Sequence, residues 1–236
     1  MKREIKSYVH VRSRTSKQDF KVLESFKNLT FYSLEELPNI SKLLPEGKIN
    51  ILEIGFGDGK NIFQKAASNP EINFYGVEIY KAGIASLLKK INSDDLKNIC
   101  LIFGDAKNLL AKIDAPFFDF IFILFPDPWP KKRHWKRRLI DKEFLSLLKK
   151  RLKNKGRLIV KTDWQDYAKN LANELVNFPT CNNEDSLGFL RPIKTKYERK
   201  GEEEGRTIFT YISPVSYTHL TLPTNRECRS RWSPYH

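Results

Sequence analysis

The chain has 236 residues and a formal charge of +14 at pH 7, enough length for one α/β core or a core with a small appendage. Its most apolar run, residues 117–125 (FFDFIFILF), is far shorter than the ~20 residues of a membrane span and contains Asp119, so no membrane role follows. The cysteines Cys100, Cys181 and Cys228 stand far apart in no metal or redox spacing, which points to a cytosolic protein, and the charged N-terminus lacks the apolar stretch of a secretory signal.

Residues 1 to 47 are polar and basic, with apolar fragments at Phe26, Leu29, Phe31, Tyr32 and Leu34 but no sustained period, and read as an arm or extension. Residues 48–213 read as one domain. Apolar runs at 49–55 (INILEIG), 72–79 (INFYGVEI), 98–105 (NICLIFGD), 119–125 (DFIFILF) and 156–163 (GRLIVKTD) predict strands. Helical patterns follow Asp58 and run from about Lys81 to Ile91, from about Asp141 to Leu152 and from about Gln165 to Val176. Short apolar strands alternating with amphipathic helices are βαβ units, which build a doubly wound α/β fold on a mostly parallel sheet. Residues 187–193 and 206–212 predict two further strands, joined by the polar KTKYERKGEEEG, that pair as an antiparallel edge hairpin. Residues 214–236 continue neither period and resemble translated adapter sequence. Cys228, Trp232 and His236 are therefore left out of the functional argument.

The first strand of the domain ends in Glu53-Ile-Gly55-Phe-Gly57-Asp-Gly59, directly before a helix. Glycine there permits positive φ and close approach of backbone to a ligand, and the helix N-terminus behind it offers unpaired amides. A nucleotide-type ligand and a plain tight turn both fit that pattern. The spacing is not the G-x-G-x-x-G of dinucleotide enzymes. Glu53 would repel a pyrophosphate and suits an ammonium group, which favours S-adenosylmethionine over NAD. The next strand ends in Glu78, where a carboxylate can accept from ribose hydroxyls, and the third in Gly104-Asp105, where one can accept from an adenine amine. The fourth delivers Pro126-Asp127-Pro128-Trp129-Pro130 to the same rim, where open α/β sheets bind ligands.

Three prolines deny that loop a helix and push Phe125, Asp127 and Trp129 toward extended geometry. The expected result is a stiff, exposed loop that holds Asp127 beside the methyl donor and Trp129 ready to stack on a nucleobase. Residues 126–157 then concentrate thirteen Lys and Arg against three acids. Such a patch on an ordinary globular chain points to nucleic acid. A solvated helix face accounts for the lysines near 149–155, but not for the Arg, His and Trp cluster ahead of them.

Together, EIGFGDG, GVEIYKAG, FGDA, FPDPWPKKRHWKRRL, KTDWQDY and TKYERKGEEEGR resemble the bacterial tRNA (guanine-N7-)-methyltransferase family, TrmB, over about residues 45–212. The resemblance implies a class I S-adenosylmethionine-dependent methyltransferase (Rossmann-like) fold. It also implies methylation of N7 of the guanosine at position 46 in the tRNA variable loop, with S-adenosylmethionine as cofactor, tRNA as partner, no metal and a cytoplasmic setting. By motif it places Glu53, Gly55, Gly57, Gly59, Glu78, Asp105 and Asp127 at the methyl donor, with Asp127 also the catalytic residue. It places Lys131, Asp163, Thr195, Lys196, Tyr197 and Glu198 on the substrate. Arg133, His134, Lys136, Arg137 and Arg138 fall in an RNA-binding run, within which Trp135 departs from the family pattern.

Guanine N7 carries a free lone pair, so its attack on a sulfonium methyl needs alignment and no general base. His134 therefore reads as a phosphate or structural contact, not a proton shuttle. Two other readings stay open: an exocyclic-amine methyltransferase, suggested by the Asp-Pro-Trp order, and an RNA-binding protein that keeps the fold without turnover.

Overall fold

A computed structural model describes residues 15–27, 29–175, 188 and 191–214. Among them one sheet holds β1 (Phe31–Ser33), β2 (Ile49–Ile54), β3 (Ile72–Glu78), β4 (Ile99–Phe103), β5 (Phe118–Leu124), β6 (Leu152–Thr162) and β7 (Phe209–Pro214). Their spatial order is β1-β4-β3-β2-β5-β6-β7. Every pairing is parallel except β6 with β7.

Successive side chains of a strand point to opposite faces, and here both faces are apolar. Ile51 joins Phe74, Phe122 and Ile159 on one side, while Leu52 joins Tyr75, Ile121 and Leu158 on the other. Helices α1 (Lys17–Ser25), α2 (Lys60–Ser68) and α3 (Lys81–Ser93) bring Val22, Ile62 and Leu87 to the first cluster. Helices α4 (Ala106–Lys112), α5 (Lys142–Arg151) and α6 (Gln165–Glu174) bring Leu109, Phe144 and Tyr167 to the second. This is the doubly wound, Rossmann-like arrangement that the alternation predicts.

The strand order reverses between β2 and β5, so the connections leaving their carboxyl ends run to opposite faces and open a crevice. β2 leads into the glycine turn and β5 into Pro126–Pro130. Topology alone thus brings these two motifs to one place.

Several local elements differ from the sequence expectations. Within the stretch read as an arm, Lys17–Ser25 form α1 and Phe31–Ser33 form the edge strand β1, which runs parallel to β4. α1 buries only Val22 and Leu23, too few positions to set a period, and it begins at a Ser16–Asp19 capping box. α4 was not expected, being only seven residues long. The polar KTKYERKGEEEG is no hairpin turn but helix α7 (Lys196–Glu203), whose buried residues are Glu198 and Gly201, so no apolar stripe announced it. Residues 188 and 191–193 are not in a strand, and the antiparallel edge is β7 laid directly on β6. The remainder of the expected 187–193 strand, residues 1–14 of the arm and the tail from 215 lie outside the described residues.

No helix among the described residues is long and apolar enough to cross a membrane. No group of three or more His, Cys, Asp or Glu among them could hold a metal ion.

The buried amide of Asn98 locks the base of the glycine-turn unit. Its Nδ2 donates to the carbonyls of Ala66 at 3.0 Å, Asn69 at 2.9 Å and Ile72 at 2.9 Å, joining the end of α2 to the start of β3. Asn98→Ala strands these acceptors and is expected to lower stability by about 2–4 kcal/mol in urea unfolding; an unchanged midpoint would contradict the role.

Candidate active site

Between Ile54 and Lys60 the chain turns through Gly55, Gly57 and Gly59 at φ of 71°, 59° and 72°. In this left-handed region a residue with a Cβ is strained and glycine is not. The space that a Cβ would take is open at Gly55 and Gly57, so the turn shows bare backbone to the crevice. It is braced from behind by α3, where a Cβ on Gly83 would stand 2.3 Å from the Gly57 carbonyl oxygen. Sequence reasoning passed over Gly83 because a glycine within a helical pattern gives no sign of what it faces.

Glu53, at the end of β2, is only 4% exposed. Asn61 Nδ2 donates to its Oε2 at 2.7 Å, and Asn61 Oδ1 accepts from the Ile193 amide at 2.8 Å. Burial, aided by the nearby Asp58 and Glu78 charges and opposed by the Asn61 hydrogen bond, pushes the Glu53 carboxyl up to about 8. It therefore carries a proton at neutral pH until a cation is set beside it. Asn61, also missed, is a buried polar residue on the first turn of α2, where the amphipathic pattern shows only a polar position.

The other two rim acids already serve the backbone. Glu78 Oε2 accepts from Gly57 at 2.8 Å, and its Oε1 accepts from Ile79 at 2.6 Å and Tyr80 at 3.0 Å, clamping the glycine turn to the end of β3. Asp105 caps α4, its Oδ1 accepting from Lys107 at 2.8 Å and Asn108 at 3.2 Å. Its Oδ2 has no partner among the described residues.

The segment Ile193–Tyr197 lies over the glycine turn. It lines, with Glu53, Gly55, Gly57 and Leu124, a narrow cleft open to solvent on one side. A larger hollow, lined by Leu37, Ile40, Lys112 and Phe117, lies by the amino end of β5 and holds none of the expected residues. Thr195 caps α7, accepting from Glu198 N at 3.1 Å. Glu198 itself does not face the cleft as an exposed substrate contact: it is 8% exposed, with Oε1 2.6 Å from Lys161 Nζ of β6 and Oε2 buried without a hydrogen-bond partner among the described residues. Asp163 pairs with Arg206 Nε at 2.8 Å, an ion pair without hydrogen-bond alignment. Lys161 and Arg206 escaped sequence reasoning because both partners are far away in the chain.

In the proline loop, Phe125 and Trp129 take φ of 54° and 46° instead of the extended geometry expected before proline. Left-handed non-glycine residues are strained and are held by their surroundings. Phe125 stacks on the ring of Tyr197, centroids 6.5 Å apart, and so joins this loop to α7. Trp129 is held by the basic run: the Arg137 guanidinium lies 4.6 Å from its ring centroid, and His134 meets it edge-on at 5.6 Å. The ring expected to await a nucleobase thus already carries a cation. Asp127 is exposed, with no hydrogen bond or ion pair among the described residues, and burial of its surroundings raises its carboxyl above the ordinary range.

The run itself winds into a 3-10 helix at Lys132–Arg137. Lys131, Arg133 and Lys136 are exposed. His134 Nε2 accepts from Arg133 Nε at 3.3 Å, and desolvation with the charges of Arg133, Arg137, Lys131 and Lys136 lowers its pKa. Arg138 departs from the expectation that it faces RNA. It is 4% exposed and donates through Nε to the Pro128 carbonyl at 2.9 Å.

Residues 47–211 match a family model described as a putative methyltransferase. The chain is 38% identical to the tRNA (guanine-N(7)-)-methyltransferase of Nitrosococcus oceani, covering 88% of this chain and 89% of that one. It is 35% identical to the protein of that name from Legionella pneumophila (strain Corby), covering 90% and 98%. The one from Wolbachia pipientis is 37% identical, covering 75% and 80%. Two solved structures share the fold: an antibiotic-related methyltransferase (TM-score 0.51, 20% identity, 71% of this chain and 88% of that one) and the 16S rRNA methyltransferase KamB (TM-score 0.52, 15% identity, 72% and 88%).

The raised Glu53 carboxyl makes stability depend on pH. Its folded pKa of about 8 lies above the ordinary 4.5, so the folded state holds a proton that the unfolded chain has released across that window. Its contribution is full below about 4.5 and is lost as pH rises toward 8, on the order of 1 kcal/mol per pH unit. Glu53→Gln is expected to flatten the stability profile over this range in denaturant titrations at stepped pH; superimposable slopes for the two proteins would refute it.

Proposed function

Since the chain belongs to the tRNA (guanine-N(7)-)-methyltransferase family, we propose that it methylates N7 of the guanine at position 46 in the variable loop of tRNA, drawing the methyl group from S-adenosylmethionine in the cytoplasm. The observation that supports this reading is that the neighbouring strands β2 and β5 lead, at their carboxyl ends, into an open glycine turn backed by buried Glu53 and into the loop of Asp127, which has no hydrogen bond or ion pair among the described residues and is followed by exposed cations.

The residues fit that donor. Gly55 and Gly57 leave room for a ligand to lie on the backbone, and the acids around them suit an ammonium and a sulfonium and oppose a phosphate. Glu53 would release its proton as the ammonium group settles beside it. Glu78, with three amides already bound, keeps remaining acceptor capacity for a ribose hydroxyl, and Asp105 keeps Oδ2 for an adenine amine. When bound, S-adenosylmethionine supplies the electrophilic methyl group that N7 attacks through its lone pair. The chain has no proton to remove, so what it contributes is alignment, exclusion of water and stabilisation of charge. Asp127 orients the base and offsets the positive charge that grows on the purine. Ile193–Tyr197 form one side of the cleft, with the Tyr197 ring stacked on Phe125. Lys131, Arg133, Lys136 and Arg137 meet phosphates of the incoming tRNA.

The deciding experiment incubates the full chain with methyl-labelled S-adenosylmethionine and unmodified tRNA, then identifies the labelled nucleoside by digestion and mass spectrometry. Labelled 7-methylguanosine confined to the variable loop is expected. Label on an exocyclic amine would move the chemistry to the amine-methylating class, and bound tRNA with no label would leave a binding protein.

Asp127→Ala is expected to lower kcat by roughly 100-fold or more while tRNA affinity stays within about twofold; wild-type kcat would remove Asp127 from the mechanism. Affinity should also fall steeply with salt, and Lys136→Ala should reduce the slope of log Kd against log salt by about one unit. A slope near zero in the wild type would contradict phosphate contacts.

A further inference from the structure

The cations from Lys131 to Arg138 look alike in sequence, yet the structure separates the last from the rest. Arg138 is 4% exposed, whereas Lys131, Lys132, Arg133 and Lys136 face solvent. Its guanidinium lies 4.5 Å from the Trp135 ring centroid and 4.8 Å from that of Tyr167. Nε donates to the Pro128 carbonyl at 2.9 Å, and Nη1 reaches Asn170 Oδ1 at 3.4 Å. Pro128 stands between Asp127 and Trp129 and has no amide hydrogen, so its carbonyl is the handle by which the loop can be held. Trp129 beside it is left-handed, a conformation that needs outside support. The anchor at the other end is firm: Tyr167 and Asn170 sit on α6, and the Tyr167 hydroxyl accepts from the Ile140 amide at 3.3 Å.

We propose that Arg138 is a positioning residue that ties the Asp127 loop to α6, with the rings of Trp135 and Tyr167 as its seat, and is not a tRNA contact. Trp135 then supplies one of the two faces on which the guanidinium rests. Lysine cannot replace the arginine, because a compact ammonium has neither the planar face that lies on two rings nor the fork that reaches two acceptors. The proposal rests on the functional reading above for its turnover readout alone.

The test uses the full chain carrying Arg138→Lys, Arg138→Met, Trp135→Leu and, as the exposed cation, Lys136→Ala. Turnover on tRNA, tRNA affinity across a salt series and thermal unfolding are measured for each. Arg138→Lys and Trp135→Leu are expected to lower kcat by about tenfold to a hundredfold with little change in KM, as a displaced reacting group does. Arg138→Met should keep the wild-type salt slope, while Lys136→Ala flattens it by about one unit. Wild-type kcat in Arg138→Lys overturns the proposal, as does a salt slope in Arg138→Met flattened as far as in Lys136→Ala. Should Arg138→Met fail to fold, the kcat of Arg138→Lys decides by itself. Absence of labelled product from the wild type would overturn the functional reading instead, and the salt slopes would still decide whether Arg138 is a strut or a contact.

Discussion

Strands β2 and β5 lie side by side in parallel register, Ile51 against Phe120 through Ile54 against Ile123, although the whole of α2, β3, α3, β4 and α4 lies between them in the chain. Parallel neighbours need a crossover, and the crossovers on the two sides of this pair wind to opposite faces of the sheet. The carboxyl ends of β2 and β5 are consequently the one place where connections part, and the glycine turn and the Asp127 loop are the two that part there. Burial of Ile51, Leu52, Ile121 and Phe122 on both faces secures the pair. A slip of one residue would exchange those faces and turn Glu53 away from its place beside Asn61.

The crevice divides its electrostatics by side. Glu53, Asp58, Glu78 and Asp105 make the turn side acidic, and that side suits a ligand bearing positive charge. The exposed cations after Pro130 make the other side basic, and that side suits a polyanion. Asp127 follows β5 ahead of those cations, with no hydrogen bond or ion pair among the described residues and its carboxyl raised by burial. Many of the polar groups near it are engaged with the protein itself: Glu78 holds amides, Asp105 caps a helix, Glu198 is paired with Lys161 and Arg138 holds a carbonyl. This use of charged side chains as backbone supports is what lets loops, normally the mobile part of such folds, present a fixed geometry.

The five central strands and the four longer helices of the domain were legible because their signals are local. Apolar runs bounded by turn residues mark buried parallel strands, and Asp141 and Gly59 announce the helices that follow them. The glycine turn, Glu53 and the rim acids were legible for the same reason, each being a short string at the end of a strand. What escaped had weak or distant signals. α1 buries only Val22 and Leu23, α4 is seven residues long, and α7 buries Glu198 and Gly201 with no apolar side chain, so none of them sets a sustained apolar period. Asn61, Lys161 and Arg206 look like ordinary polar positions until their partners arrive from elsewhere in the fold.

From the sequence alone one could determine the alternation of strand and helix, the doubly wound class, the acids that rim a donor site and the concentration of positive charge beside Asp127. Those properties depend on residue type and spacing within a few positions, and the backbone's two periods make them readable. Only the tertiary structure decided which cations face solvent and which are consumed inside, that Glu198 turns to Lys161, and that Phe125 and Trp129, each before a proline, are bent left-handed instead of extended. Each of those outcomes depends on contacts between residues far apart in the chain, and no local preference is strong enough to set them against the packing that surrounds them.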